Sequence, residues 1–160
     1  MKELVSIAGP ISAKLIERKQ TIAVAESSTG GLISAALLAV PGASAYFLGG
    51  AVVYTRDARR ILMDIPDEAM KGIRSASEPY ARLLASQIRT RFATDWGLSE
   101  TGATGPTGNR YGDAAGHSCM AVAGPQQAVI TLETGSADRP ANMQSFASAA
   151  LNLLLQNLSR

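Results

Sequence analysis

Apolar residues near the start of the chain fall at Leu4, Ile7, Ala8, Ile11 and Leu15, a spacing of three and four that puts them on one side of a helix. The pattern then changes. Thr21 to Ala25 is a short apolar run bounded by polar residues, as expected of a strand covered on both faces in a parallel sheet. The segment Glu26 to Gly31 reads as a loop, after which Ile33, Ala36, Leu37 and Val40 lie on one face of a second helix that Pro41 and Gly42 stop. Ala51 to Tyr54 predicts another strand, and Asp57 to Met63 a short helix that ends before Pro66. Ser77 has the look of an N-cap: Pro79 is tolerated in the first turn behind it, and Leu84 and Ile88 carry the helical period toward Phe92. Three more strands are predicted at Trp96 to Thr101, Ser118 to Ala123 and Ala128 to Glu133, the last two joined as a hairpin through Gly124 and Pro125. Phe146, Ala150, Leu153 and Asn157 mark one side of a closing helix that Ser136 or Asp138 can cap.

Strands alternating with helices predict an α/β fold, a three-layer α/β/α sandwich on a mixed, mostly parallel sheet. The 160 residues, 46% of them apolar, are expected to form one domain over residues 1–160. The tract from Ser27 to Tyr54 carries no charge. Its glycines and Pro41 interrupt it well short of the roughly 20 apolar residues of a membrane helix, so no membrane partner is expected. A net charge of +2 without a basic run, and 5% aromatic residues, give no stacking platform or basic stripe for nucleic acid. Cys119 is the only cysteine, which excludes an internal disulfide and fits a reducing cytoplasm. His117 is the only histidine, on a predicted strand beside Gly116, and no histidine or carboxylate companion is expected for it; it reads as a packed or surface residue, and no metal is expected.

In open α/β sheets ligands collect where strands end and loops converge, and two loops have suitable chemistry. The first is Glu26, Ser27, Ser28, Thr29, Gly30 and Gly31; the second runs Thr101, Gly102, Ala103, Thr104, Gly105, Pro106, Thr107 and Gly108. Glycines let the backbone approach a ligand, and free amides at a helix start attract an anion or an oxyanion. The same residue types also make ordinary helix caps. Neither loop holds the Gly-Lys-Ser/Thr of a phosphate-binding loop or a dinucleotide fingerprint, and no cofactor is expected.

Ala25-Glu26-Ser27-Ser28-Thr29-Gly30-Gly31 resembles the A-E-S-C-T-G-G of the CinA C-terminal family, and Gly49-Gly50-Ala51-Val52-Val53-Tyr54 its G-G-x-V-x-Y. Ser77-Glu78-Pro79, Thr101-Gly102-Ala103-Thr104-Gly105-Pro106 and Asp138-Arg139 are similar to further motifs of that family, in order, from about Leu4 to Leu158. In fused members this domain follows another; here it is expected to stand alone. The resemblance implies an amidohydrolase that converts nicotinamide mononucleotide to nicotinic acid mononucleotide and ammonia, and a homo-oligomer, which the long uncharged tract also suits. It assigns Ser27 as nucleophile, the amides after it as oxyanion donors, and Tyr54 as a residue that orients a group or relays a proton. Glu26, Ser28, Thr29, Gly30, Gly31, Thr101, Gly102, Thr104 and Gly105 would surround the nucleotide, and Arg139 would meet its phosphate. The bland alternatives are a strand core residue for Tyr54 and a surface charge for Arg139.

Five residues, Ser28, Arg59, Asn109, Asp113 and Ala114, depart from the family pattern. Where the family has a lysine five residues after the tyrosine, this chain has Arg59. A buried lysine can lose its proton and serve as a base, whereas an arginine, with a pKa above about 12, stays protonated. Arg59 could still stabilise a tetrahedral oxyanion or bind a phosphate, but the proton of Ser27 would then go to Tyr54, Glu26 or a water. Gly108-Asn109 replaces Gly-Gly, Asp113-Ala114 replaces Lys-Pro, and Ser28 replaces the cysteine. Two expectations follow: an amidohydrolase, or a catalytically impaired relative that keeps the pocket and binds a nucleotide or another small ligand.

Overall fold

The side chains of a strand alternate between the two faces of its sheet, and here the alternation sorts them by size. On β1 (Ile22–Glu26) Ile22 and Val24 face one layer of helices, and Ala23 and Ala25 the other. On β3 (Trp96–Ala103) and β4 (His117–Ala123) the first layer meets Trp96, Leu98, Met120 and Val122, while the second meets Cys119, Ala121 and Ala123. The large side chains pack against α1 (Lys2–Arg18), α2 (Leu32–Leu38) and α5 (Arg139–Leu158). The small ones let α4 (Glu78–Phe92) lie close to the sheet: the Ser99 hydroxyl donates 2.5 Å to the Ala81 carbonyl of that helix. The computed structural model describes all of residues 1–160.

Two edge strands, β2 (Phe47–Val52) and β5 (Ala128–Glu133), complete a sheet of order β2-β1-β3-β4-β5. β1 is parallel to both neighbours, and β4 is antiparallel to β3 and β5, so four strands run one way and β4 the other. With helices on both faces this is the expected mixed α/β sandwich. The carboxyl ends of β1, β2 and β3 therefore meet at one end of the sheet, where the two glycine-bearing loops converge. No helix is long and apolar enough to cross a membrane.

The caps follow local chemistry. Ser77 accepts from the Tyr80 amide and Asp138 from the Ala141 amide, as expected for N-caps of α4 and α5. The short helix α3 (Arg56–Met63) is capped by Thr55, and its buried residues, Arg59 and Met63, sit one turn apart on the face turned inward. The second strand differs from the sequence expectation. The second strand begins at Phe47 and ends at Val52, so Tyr54 lies beyond it and is exposed. Gly49 and Gly50 belong to the strand because its surroundings leave no room for side chains: a Cβ would come within 2.5 Å of the Phe92 ring at Gly49 and 2.6 Å of the Ser34 hydroxyl at Gly50. The helix after the first loop starts at Leu32, directly after the expected loop Glu26 to Gly31, where Gly30 and Gly31 both take positive φ.

Gly97, on the small-residue face of β3, is the tightest point between sheet and helix, since a Cβ there would stand 2.2 Å from the Ala85 carbonyl oxygen. Gly97→Ala must push α4 off the sheet and is expected to lower unfolding stability by at least about 2 kcal/mol. Urea denaturation checks this, and an unchanged midpoint would show that the helix and sheet are not held at this spacing.

Candidate active site

The loop after β1 is organised from inside by two carboxylates that the solvent does not reach. Glu26 and Glu100 are fully buried, and both continue the strand phase that points toward α2: Ile22, Val24, Glu26 on β1 and Trp96, Leu98, Glu100 on β3. Glu26 serves as the cap that α2 otherwise lacks. One of its oxygens accepts from the Gly31 and Ile33 amides at 3.0 and 3.1 Å and from the Thr29 hydroxyl at 2.6 Å; the other accepts from the Ser34 amide and hydroxyl at 2.9 and 2.8 Å. Glu100 accepts from the Ser27 and Thr29 amides at 3.1 and 3.0 Å and from the hydroxyls of Ser28 and Ser118 at 2.5 and 2.9 Å. Burial pushes the Glu100 carboxyl above the ordinary carboxylate range, against the pull of these donors.

These bonds redefine the first loop. The expected anion-binding amides are already engaged: those of Ser27, Thr29 and Gly31 by the two carboxylates, and that of Gly30 by the Ser27 carbonyl at 3.1 Å. Within Ser27–Gly31 only the Ser28 amide makes no hydrogen bond in the protein. Glu26, Ser28 and Thr29 turn inward and, with Gly30 and Gly31, do not line the cavity beside the loop. With all four lone-pair directions of Glu26 taken, that residue is a helix cap and not an acceptor for the Ser27 proton.

Ser27, Tyr54, Arg59, Thr101 and Gly102 do come together, on the wall of a cavity of about 450 Å³ at the carboxyl ends of β1, β2 and β3. Ser27 Oγ takes part in no hydrogen bond within the protein. Thr101 has the opposite strand phase to Glu100 and so reaches the cavity, where its hydroxyl accepts from the Ala76 amide at 3.1 Å. Thr104 and Gly105 lie outside the wall; their carbonyls accept from Asn142 and from Arg139. Arg139 also donates to the Tyr54 hydroxyl at 3.0 Å, so it ties the tyrosine to the second loop and does not line the cavity itself.

Arg59 projects from α3 with its side chain 9% exposed. Its Nη2 donates to Asp67 at 3.2 Å, its guanidinium stands 6.0 Å from the centre of the Tyr80 ring, and its buried Nε has no partner. Asp67 is also gripped by Arg56 through two bonds at 3.1 and 2.6 Å, and this pairing, with Arg59 adding to it, holds its carboxyl below the ordinary range. Arg56, Asp67, Tyr80, Arg110 and Tyr111 complete the polar wall. None was singled out in the sequence, where each reads as an ordinary surface or helix residue. Glu100 was missed as well, although its phase with Leu98 on an apolar strand was a usable signal.

The departures in the second loop are mutually consistent. Asn109 Oδ1 accepts from the Tyr111 and Asp113 amides, and Asp113 accepts from Asn109 Nδ2 and, through two bonds, from Arg74. His117 is buried, bonds the Ala76 carbonyl through Nε2 and Glu133 through Nδ1, and lies off the cavity. Burial opposes its charge, but acceptors at both nitrogens and the nearby Asp113 raise its pKa overall.

Removing the carboxylate behind Ser27 tests this construction. Glu100→Ala leaves the Ser27 and Thr29 amides and the Ser28 hydroxyl without an acceptor, while the Ser118 hydroxyl keeps the Thr101 carbonyl, and is expected to lower stability by about 3 kcal/mol or more. Folding also raises the Glu100 pKa, so the native chain keeps that proton to a higher pH than the unfolded one. The stability of the native protein relative to Glu100→Gln should therefore fall as pH rises from the ordinary carboxylate value through the raised one, and level off above it. Urea unfolding of both proteins across that window checks the sign; a difference that grows with pH would contradict it.

The comparisons agree with this fold. The model of the CinA C-terminal domain matches residues 5–158. A CinA-like protein of Gloeobacter violaceus is 41% identical over 120 residues, covering 75% of this chain and 28% of that one. A CinA-like protein of Anaeromyxobacter sp. is 36% identical over 144 residues, covering 90% and 35%. The chain thus spans about a third of the length of these relatives. Among solved structures, the competence/damage inducible protein CihA of Agrobacterium tumefaciens superposes with a TM-score of 0.88 at 26% identity, covering 99% of this chain and 96% of that one. A CinA superfamily protein of Klebsiella pneumoniae superposes with a TM-score of 0.90 at 24% identity, covering 98% of each. With its fold, its ordered motifs and nearly its whole length matched, the chain belongs to the CinA C-terminal domain family.

Proposed function

We propose that the protein is an amidohydrolase-type member of its family in which Ser27 Oγ attacks the carboxamide carbon of nicotinamide mononucleotide. The observation that carries this reading is the unengaged Ser27 hydroxyl at a strand end, with its backbone clamped from behind by Glu100 and its side chain on a cavity wall. A nucleophile needs a fixed backbone and a free side chain. In the reaction the Ser27 oxygen bonds to carbon and gives up its proton; the C–N bond breaks as the nitrogen takes a proton and leaves as ammonia; water then cleaves the ester and restores Ser27.

A second reading is favoured by the proton balance of the same wall. Arg59 stays protonated. Asp67 is the one carboxylate on the wall, and its oxygens accept from Arg56 and Arg59. No carboxylate or amine on the wall is thus free to take the Ser27 proton, which leaves Tyr54 or a water and suits a ligand-binding relative with slow turnover. The two readings separate in an ammonia-release assay with nicotinamide mononucleotide. Wild type is expected to be slow near neutral pH and Arg59→Lys faster by about two powers of ten or more, the usual worth of a general base. Ser27→Ala in the Arg59→Lys background should abolish the gain. Fast wild-type turnover that falls on Arg59→Lys would rule out the impaired reading.

The chain is also proposed to self-associate along the outer edge of β2, where Leu48 and Val52 are exposed beside an unpaired strand backbone. Light scattering should give a mass of at least two chains, and Leu48→Lys should reduce it; a monomeric wild type at micromolar concentration would count against this.

A further inference from the structure

The cavity beside Ser27 carries more hydrogen-bond donors than it can use. Arg56, Arg59 and Arg110 face it with three positive charges against the single negative charge of Asp67. That carboxylate is taken up by Arg56 and Arg59, and Arg110 stacks on Tyr111 with its guanidinium 5.1 Å from the ring centre. The carboxamide oxygen of Asn109 already accepts from two amides. Arg59 is the extreme case: its side chain is 91% removed from solvent, its Nε is enclosed in the protein with no partner, its Nη2 donates to Asp67, and the Tyr80 hydroxyl lies close to the guanidinium, so that Nη1 is the group left to face the cavity. An unpaired N–H on a largely buried guanidinium costs free energy, which an acceptor supplied by a ligand on the cavity side recovers.

We infer that this cavity is built to hold an oxyanion at Arg59, so that the preferred ligand presents a carboxylate or a phosphate there and not an uncharged carboxamide. The inference rests on the reading of the cavity as the ligand site, but it departs from the amide preference that an amidohydrolase of this family would show. A carboxylate or phosphate offers only acceptors, which match donors that have no other use. A carboxamide brings an NH2 group that would face the guanidinium donor to donor. The helix α3, the Asp67 pair and the Tyr80 ring hold the cation in place before any ligand arrives, so little ordering remains to be done on binding. On this account the substitution of arginine for lysine converts a position suited to proton transfer into an anion receptor that distinguishes an acid from its amide.

Calorimetry on the Ser27→Ala protein, which cannot turn substrate over, tests this with five probes: nicotinic acid mononucleotide, nicotinamide mononucleotide, nicotinamide riboside, benzoate and inorganic phosphate. If Arg59 recognises the carboxylate, the acid nucleotide binds about tenfold or more tightly than its amide, and Arg59→Met removes that preference. If it recognises the phosphate, the two nucleotides bind alike, both far more tightly than the riboside, and Arg59→Met weakens both. Either result supports the oxyanion site and names its source. Arg59→Lys, whose ammonium gives up its proton more readily, should retain part of the affinity at low pH and lose it as pH rises, and circular dichroism confirms that each variant is folded. Anion binding that ignores Arg59→Met in a folded protein overturns the inference, as does an amide that outbinds its acid. If Arg59→Met does not fold, wild-type affinity for benzoate and phosphate that is unmoved by added sodium chloride overturns it. The failures are separable: Arg59-dependent binding of benzoate or phosphate without binding of either nucleotide leaves the oxyanion site standing and removes the nucleotide function. Hydrolysis of nicotinamide mononucleotide with anion binding indifferent to Arg59 does the reverse.

Discussion

Burying a carboxylate is unfavourable unless its oxygens are fully hydrogen-bonded, and this protein buries two side by side under one loop. Glu26 and Glu100 lie on neighbouring strands, and the Thr29 hydroxyl stands between them at 2.6 and 3.1 Å. Their demand for donors fixes the loop: amides and hydroxyls from Ser27 to Ser34 point into the protein, and the Ser27 side chain is left facing out. If either acid were apolar, three or more polar groups would lose their partners, and the turn that presents Ser27 would have no reason to keep its shape. The functional end of the sheet is in this sense a consequence of charge burial, with the serine as what remains on the outside.

The same constraint accounts for where the anion-attracting chemistry ends up. Helix starts usually attract anions because their amides are free, but α2 brings its own anion, Glu26. The positive character of the cavity comes instead from arginines on α3 and on the loop before β4, on the opposite face of the sheet. The division follows from strand alternation. Glu100 and Thr101 are adjacent in sequence, yet one braces the loop from the α2 side while the other lines the cavity on the α3 and α4 side.

That second face is open to ligands because the sheet carries small residues there. Alanines, Gly97, Ser99 and Cys119 bring α4 close to the strands, and α3 then extends the layer with Arg59 tucked against Tyr80. Arg59 keeps its charge under cover because Asp67 and the aromatic ring partly replace water around it. A lysine there would have a compact, strongly hydrated ammonium in the same dry place and would lose its proton far more readily. On the proposed reading, arginine in place of lysine changes the proton chemistry open to the site.

Much of this was legible in the sequence because it depends on neighbours along the chain. The helical period of Leu4, Ala8, Ile11 and Leu15, the caps at Ser77 and Asp138, and the turn through Gly124 are local effects of backbone geometry. So is the permanent charge of Arg59, which belongs to the guanidinium itself. The sequence also gave the order of the family motifs, and with it the loops that meet at Ser27. What it left undecided was partnership. Ser27 and Glu100 are 73 residues apart, and nothing in the periodicity of either strand says that β1 sits between β2 and β3 or that Glu26 is consumed as a helix cap. Those facts depend on how strands pair and which face each layer covers, contacts between distant segments whose energies appear only once the chain has closed on itself. The sequence alone therefore determined the elements and the chemical character of each group, and the tertiary structure decided which groups are satisfied inside the protein and which remain free to meet a ligand.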